Sequence, residues 1–194
     1  MANLIPFLAY VVVSTFTPGP NNILAMTNSM QYGYKKTFGF LLGVSTGFMI
    51  VMLIAGLLNL AMVNLLPQVT SWLNILGAAY LMLLAWQVMR SKPNLDPNAK
   101  SKLNSFTGGL VLQFLNPKGI LYGITVHSLF IIQSYQNPII VSLFAPLLAI
   151  VSLISISCWA LGGGMFRKHV QKYGRPFNIA MGVLLIGTAV ASLM

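Results

Sequence analysis

Two short polar segments interrupt apolar runs that are each long enough to cross a bilayer. The first consists of Thr17, Pro18, Gly19, Pro20, Asn21 and Asn22, and the second of Asn116, Pro117, Lys118 and Gly119. A helix broken inside hydrocarbon leaves N–H and C=O groups without partners, which is tolerated only where they face protein or a watery cavity. The restarted helix after each break presents free N–H groups and a positive dipole end, which favour a carboxylate. The breaks therefore predict a binding site. For the first break, the alternative is a structural kink repaired by neighbouring helices.

Lys118 adds a full positive charge to the second break. An ammonium within the membrane costs at least ~2.5 kcal/mol on insertion scales, and it is normally placed in a cavity or paired. The only carboxylate side chain of the chain is Asp96, which lies outside the apolar runs. We therefore expect a substrate carboxylate as the partner of Lys118. The alternative is that Lys118 snorkels or bonds backbone carbonyls freed by Pro117.

The same shortage of acids restricts the substrate. A metal cation or a lysine side chain would call for carboxylates within the membrane, which this chain lacks. Neutral or anionic small molecules fit better. His127 is a candidate proton relay because it is one of very few ionisable residues in the apolar runs. The alternative for His127 is a hydrogen-bonded packing histidine.

Composition indicates an integral membrane protein. Of 194 residues, 57% are hydrophobic and 6% are charged, and mean hydropathy is +0.81, whereas soluble domains carry roughly a quarter charged residues. The single cysteine, Cys158, allows no intrachain disulfide and no paired-cysteine metal or redox motif, so we expect no cofactor and no metal. We expect Cys158 to be a small packing residue. A membrane enzyme is disfavoured because the spans hold no paired aspartates and no Gly-x-Ser-x-Gly sequence.

The apolar residues form continuous blocks, which favours an all-α fold over a β-barrel. Each block is near or above the ~20 residues that a spanning helix needs. The six predicted spans are 4–28, 37–63, 68–90, 105–132, 138–165 and 174–193. Within them, Gly43-x-x-x-Gly47 and the run Gly162 to Gly164 are typical of close helix packing.

The basic residues predict the orientation. Ten of the eleven Lys and Arg residues lie in the separators after spans one, three and five or beside them, and the opposite separators hold none. The positive-inside rule then places these separators in the cytoplasm and both termini outside. Topology also explains the net charge of +10, so we expect the lipid bilayer, and no nucleic acid, as the partner of this charge.

The chain divides into two halves, 1–97 and 98–194, each with three spans and a broken first span. An odd number of spans per half gives the halves opposite orientations. Inverted-topology repeats are a known basis of transporter folds, with substrate held near the midplane by interrupted helices. We therefore expect one membrane domain of six helices, in which helices 1 and 4 are broken.

Over essentially its whole length the chain resembles the LysE/RhtB family of amino-acid exporters. The resemblance rests on the two breaks, the length and the span number. Within that family it is most similar to the exporters of cysteine and O-acetylserine, through segments 21–25, 112–114, 120–123, 158–161 and 173–175. The resemblance implies export of small amino acids or their derivatives from the bacterial cytoplasm across the inner membrane. The shortage of acids favours neutral ones, whose ammonium we expect to meet carbonyl oxygens at the C-terminal ends of the half-helices. Alternating access would come from rocking of the two halves. Two alternatives for the function stay open: an exporter of homoserine, threonine or leucine, and a non-transporting scaffold. The energy coupling, by proton antiport or by facilitated efflux, and the presence of a homo-oligomer stay open as well.

Overall fold

The computed structural model describes residues 4–61, 66–90, 102–166 and 170–191, and within these ranges the chain is helical with no strand. The first four helices are α1 (Leu4–Phe16), α2 (Pro20–Tyr32), α3 (Tyr34–Ala61) and α4 (Leu66–Arg90). A 3₁₀ turn at Lys102–Asn104 precedes α5 (Phe106–Phe114) and α6 (Pro117–Val126). A π turn at His127–Ile131 extends α6, and α7 (Pro138–Phe166) and α8 (Val170–Ala191) complete the described chain.

Both predicted breaks are present in the structure. The first predicted span is divided into α1 and α2 at residues 17–19, and the fourth into α5 and α6 at residues 115–116. In each case a proline, Pro20 or Pro117, occupies the first turn of the restarted helix, where its missing N–H is not needed and its fixed φ suits the helix.

The largest differences from the predicted boundaries lie at the turn between α2 and α3 and at the start of α8. The separator expected between Gln31 and Lys36 shrinks to Gly33 alone, because its φ of 86° lets the chain turn between α2 and α3 without further residues. The last helix begins at Val170, four residues before the predicted span, and contains Pro176 in its interior.

Helices α3 and α7 are long and apolar enough to cross a bilayer unbroken, with mean hydropathies of 2.3 and 2.7. Large apolar side chains point outward along them, including Ile54, Leu147 and Ile154, each about half exposed. Such a surface suits lipid, because contiguous apolar patches of this extent are rare on soluble monomers. Cys158 also lies on the outer surface of α7, so its expected packing role is wrong.

Two apolar cores flank the breaks. One gathers side chains of α2, α3, α4, α5, α7 and α8 around Phe40 and Leu81, both at most 1% exposed. The other gathers α1, α3, α6 and α7 around Phe48 and Tyr122. The breaks lie between the cores, so packing on both sides fixes the half-helix ends that meet there.

Glycines bring several helices into backbone contact. A Cβ on Gly43 would lie 1.9 Å from the carbonyl oxygen of Phe106, and one on Gly163 would lie 2.1 Å from that of Met26. These contacts join α3 to α5 and α7 to α2, and they confirm the predicted packing role of both glycines. Gly162 makes no such contact, since a Cβ added to it would have no described residue within 4 Å.

Candidate functional site

Two backbone carbonyls at the C-terminal end of α1 lack the N–H donors that a continuous helix would supply. In an unbroken helix, residues 18 and 20 would donate to the carbonyls of Ser14 and Phe16, but both residues are prolines. The Thr17 hydroxyl donates to Ser14 O at 3.1 Å instead, and Trp159 Nε1 of α7 donates to Phe16 O at 3.2 Å. Side chains thus replace the missing N–H groups.

Asn22 and Ser155 satisfy the next carbonyls of this end. Asn22 Nδ2 donates to Thr15 O at 3.1 Å and to Thr17 O at 3.0 Å. The Ser155 hydroxyl, on α7, also donates to Thr15 O, at 3.0 Å. Side chains of α2 and α7 therefore hold the break in shape.

Lys118 connects the second break to the first. Its Nζ donates to the carbonyl oxygen and the hydroxyl of Thr17, each at 2.9 Å, and to Pro18 O at 3.3 Å. The three donors of the ammonium thus face the C-terminal end of α1, where the negative end of the helix dipole lies. Lys118 does bond freed carbonyls, as the alternative proposed, but these belong to the first break and were not freed by Pro117.

A second bridge between the breaks runs through Gln113 of α5. Asn21 Nδ2 donates to Gln113 Oε1 at 2.6 Å, and both side chains are buried. Gln113 also packs on the start of α6, because a Cβ on Gly119 would lie 2.4 Å from Gln113 Nε2. A side chain at position 119 would therefore displace Gln113 and, with it, Asn21.

The breaks line a partly open central cavity of about 40 Å³. Its walls come from both breaks and from α1, α3, α6 and α7. They consist of Ser14, Thr15, Gly19, Pro20, Asn21, Asn22, Phe48, Asn116, Lys118, Gly119, Tyr122, Ser152 and Ile156. The cavity is small and mixes hydroxyls, amides and apolar groups, which is typical of sites for small polar molecules.

The N-terminal ends of α2 and α6 both reach this cavity. Neither N-cap residue, Gly19 or Asn116, provides a side-chain bond to the first turn of its helix. The backbone N–H groups that follow Pro20 and Pro117 are thus left without the usual cap. Two such helix starts, with the Lys118 ammonium between them and the α1 end, form an electropositive surface suited to a carboxylate.

Two residues of the cavity wall also carry acceptors. Asn21 Oδ1 and Asn116 Oδ1 are buried and have no hydrogen-bond partner among the described residues. A buried polar atom without a partner costs roughly 1–3 kcal/mol, so these oxygens favour a ligand that donates to them. An ammonium group, with three donors, meets that requirement.

A wider lateral groove, of about 750 Å³, lies between α1, α6 and α8. It is lined by Tyr10, Val13, Ser14, Thr17, Pro18, Lys118, Leu121, Tyr122, Thr125, Val183, Leu184 and Gly187. Ser14, Lys118 and Tyr122 line both spaces. The Lys118–Thr17 contact therefore forms part of the wall between the central cavity and the lateral groove.

The ten predicted binding residues lie together. Seven of them line the central cavity: Gly19, Pro20, Asn21, Asn22, Asn116, Lys118 and Gly119. Thr17 and Pro18 line the lateral groove. Pro117 is buried at the start of α6 and lines neither space.

His127 lies elsewhere. It is fully buried at the π turn, its Nδ1 is 2.7 Å from Gly123 O, and it lines neither space. Its Nε2 packs against α3, where a Cβ on Gly56 would lie 2.9 Å away. This placement matches a packed, hydrogen-bonded histidine, and a proton relay through His127 stays a prediction.

Several residues in or beside the cavity wall were missed from sequence. Ser14 and Thr15 directly precede the first break, and Gln113 is the buried amide that precedes the second, so proximity to a break could have indicated them. Ser152 and Ile156 come from α7, an uninterrupted apolar helix. Two serines, Ser152 and Ser155, three positions apart and therefore on one helix face, are the signal available there.

Comparison with known proteins places the chain among transport proteins. The family model described as "LysE type translocator" matches residues 12–194. A cysteine/O-acetylserine efflux protein of Klebsiella pneumoniae subsp. pneumoniae is 39% identical over 184 residues, covering 95% of this chain and 93% of the relative. Proteins of that name from Escherichia coli O139:H28 and Escherichia coli K12 are 37% and 36% identical, covering 95% of this chain and 94% of each relative. No solved structure matches the chain.

Proposed function

Since the chain belongs to the LysE type translocator family, we propose that it exports small neutral amino acids or their derivatives, such as cysteine and O-acetylserine, across the bacterial inner membrane. The chain is a membrane transport protein and not an enzyme. The observation that carries the proposal is the central cavity, where two uncapped helix starts meet two buried amide oxygens without partners.

Each end of an amino-acid zwitterion has a counterpart in this cavity. The carboxylate meets the N–H groups that follow Pro20 and Pro117, together with the Lys118 ammonium. The ammonium meets Asn21 Oδ1 and Asn116 Oδ1. This replaces α1 carbonyls as the expected ammonium acceptors, because the carbonyls of the last α1 turn already accept bonds from Lys118, Asn22 and other side chains.

Selectivity for neutral substrates follows from charge. The described residues contain no carboxylate side chain, so nothing in the cavity offsets a second positive charge. Two like charges ~4 Å apart repel by about 4 kcal/mol at an effective dielectric of 20. A lysine side chain beside Lys118 would therefore be disfavoured.

The fold proposed around this site has six membrane spans in two inverted halves, 1–97 and 98–194, with both termini outside. The matched breaks and the proline at the start of each restarted helix support it. Basic residues support the orientation: Lys36 and Lys102 lie at the starts of α3 and the 3₁₀ turn, and Asn104 Nδ2 donates to Lys36 O at 3.3 Å, which places these starts at one end. Alternating access then arises from rocking of the halves.

Counterflow in proteoliposomes tests the function. Purified protein is reconstituted with unlabelled cysteine inside under reducing conditions, and entry of labelled cysteine is measured against outside O-acetylserine, threonine, leucine or lysine. We expect cysteine and O-acetylserine to compete best and lysine least. If threonine and leucine compete better than cysteine, the protein belongs with the exporters of homoserine, threonine and leucine. If no flux depends on substrate, a non-transporting scaffold is favoured.

A further inference from the structure

The two halves of the first broken span are buried to very different extents. In α2, eleven of thirteen residues are buried, whereas in α1 only Phe7 and Val11 of thirteen are. The lateral groove runs along α1, while α2 is enclosed by α3, α7 and α8. One side of the central cavity is therefore sealed, and the other is bounded by an open groove.

The sealed side contains an unusual polar face. Asn28 and Ser29 of α2 are 5% and 0% exposed, and neither Asn28 Nδ2 nor Ser29 Oγ has a hydrogen-bond partner among the described residues. Each lies seven residues, or two helical turns, beyond a cavity residue: Asn28 beyond Asn21, and Ser29 beyond Asn22. The polar face thus continues from the cavity for about 10 Å toward the basic end of the helices.

Helix α7 covers this face through its glycines. A Cβ on Gly163 would lie 2.1 Å from Met26 O, and one on Gly164 would lie 3.3 Å from Ser29 Oγ. The seal thus depends on backbone contact between α2 and α7 at a site where no side chain intervenes. Ser29 Oγ, beside Gly164, makes no hydrogen bond to the described residues of α7, so α2 and α7 are held together at this point by close packing.

We propose that this structure is an outward-facing state of the transporter, and that the amino acid enters from the cytoplasm along the Asn28–Ser29 face when α2 and α7 separate at Gly163. The lateral groove is then the exit side, and Lys118 at its wall is the last contact before release. The unpartnered Asn28 and Ser29 atoms are hydrated when the path opens. This inference rests on the proposed function and on the orientation proposed with it.

Thiol labelling tests the path without knowledge of the substrate. In a Cys158→Ser background, which holds no other cysteine, Asn28→Cys reports on the sealed face and Thr125→Cys reports on the groove. A membrane-impermeant thiosulfonate is applied to right-side-out and to everted vesicles. We expect Thr125→Cys to react from outside, and Asn28→Cys to react only from the cytoplasmic side and at least tenfold more slowly.

Glycine variants shift the equilibrium. Gly163→Ala forces α2 and α7 apart, so it should raise Asn28→Cys labelling from the cytoplasmic side about tenfold and lower Thr125→Cys labelling. Gly162→Ala is the matched control, because its Cβ meets no described residue within 4 Å. Gly164→Ala makes a looser contact, so it should change the labelling rates less. It replaces Gly163→Ala in the test if that variant does not fold.

Two results would overturn the inference. One is labelling of Asn28→Cys from outside, or at the rate of Thr125→Cys. The other is an unchanged labelling rate, that is, neither Gly163→Ala nor Gly164→Ala labels at a rate different from that of Gly162→Ala. Either result could occur while counterflow still shows amino-acid transport, so the failure of the path is distinguishable from the failure of the proposed function.

Discussion

Lys118 Nζ lies 2.9 Å from both the carbonyl oxygen and the hydroxyl of Thr17, so one side chain joins two helix breaks that are 101 positions apart at these residues. The contact stabilises an ammonium in the membrane without a carboxylate partner. It also places the charge at the boundary between the central cavity and the lateral groove. If the substrate carboxylate binds at the proposed site, it competes with Thr17 and Pro18 for Lys118, which would couple binding to the position of α1.

Gly19→Ala should impair transport by moving this ammonium. A Cβ at position 19 would lie 2.9 Å from Lys118 Cδ and 3.2 Å from its Nζ, closer than ordinary contacts, so the lysine side chain must shift. We expect counterflow to fall about tenfold while the protein stays folded, since the Lys118 side chain is flexible. Gly39→Ala, whose Cβ meets no described residue within 4 Å, is the control and should keep wild-type flux. Equal flux from both variants would contradict the role of Lys118.

Asn116→Leu should separate stability from function. The amide oxygen of Asn116 is buried without a partner among the described residues, so an apolar replacement removes a cost of roughly 1–3 kcal/mol. We expect Tm in detergent to stay the same or rise by a few degrees, as about 1 kcal/mol shifts Tm by roughly 2–4 °C, while counterflow is lost. Asn59→Leu should instead lower Tm, because Asn59 Nδ2 donates to Ala55 O at 2.8 Å and its Oδ1 accepts from Ser128. A fall in Tm for Asn116→Leu equal to that for Asn59→Leu would show that Asn116 is structural.

The Asn21–Gln113 hydrogen bond should act as one unit. Asn21→Ala and Gln113→Ala should each reduce apparent affinity for cysteine about tenfold, and the double variant should reduce it little further, because removing either partner breaks the same 2.6 Å bond. Affinity is measured as the half-saturating concentration in counterflow. Ser45→Ala, which breaks a bond to Ala149 O, should combine additively with either variant. Additive losses for Asn21 and Gln113 would refute the coupling.

His127→Gln tests the proton relay predicted from sequence. Counterflow requires no energy source, so a relay through His127 predicts that the variant keeps counterflow but loses uptake driven by an imposed proton gradient. The neutral glutamine amide can replace the bond to Gly123 O and keeps the packing. Retention of gradient-driven transport by His127→Gln would exclude His127 as the relay and would leave it the packing role that its burial indicates.

The sequence predicted the positions of both breaks because prolines leave a local signature. Pro20 and Pro117 each stand in a cluster of glycine and polar residues, which favours a break and a restarted helix. Pro146 lacks such a cluster and lies inside a helix, and Pro176 lies inside a helix as well. The all-helical fold was likewise readable from continuous apolar runs. The short turn at Gly33 was missed because a positive φ at one glycine is not distinguishable in advance from a longer loop.

The partners of the breaks could not be predicted. Whether Lys118 bonds carbonyls freed by Pro117 or those at Thr17 depends on how α1 and α6 are packed, which no local pattern specifies. The contributions of Ser152 and Trp159 depend in the same way on the rotation of α7 about its axis. The exposure of Cys158 is a further case, because a uniformly apolar helix gives no signal for which face meets lipid.

The central claim is that Lys118 receives the substrate carboxylate, and competition by cysteine methyl ester tests it most directly. In counterflow of labelled cysteine, we expect cysteine to compete with wild-type protein at least tenfold better than its ester, a charge-assisted bond being worth roughly 1.5–3 kcal/mol. In Lys118→Gln, checked for folding by its Tm, that preference should fall toward unity. An undiminished preference in folded Lys118→Gln would contradict the claim.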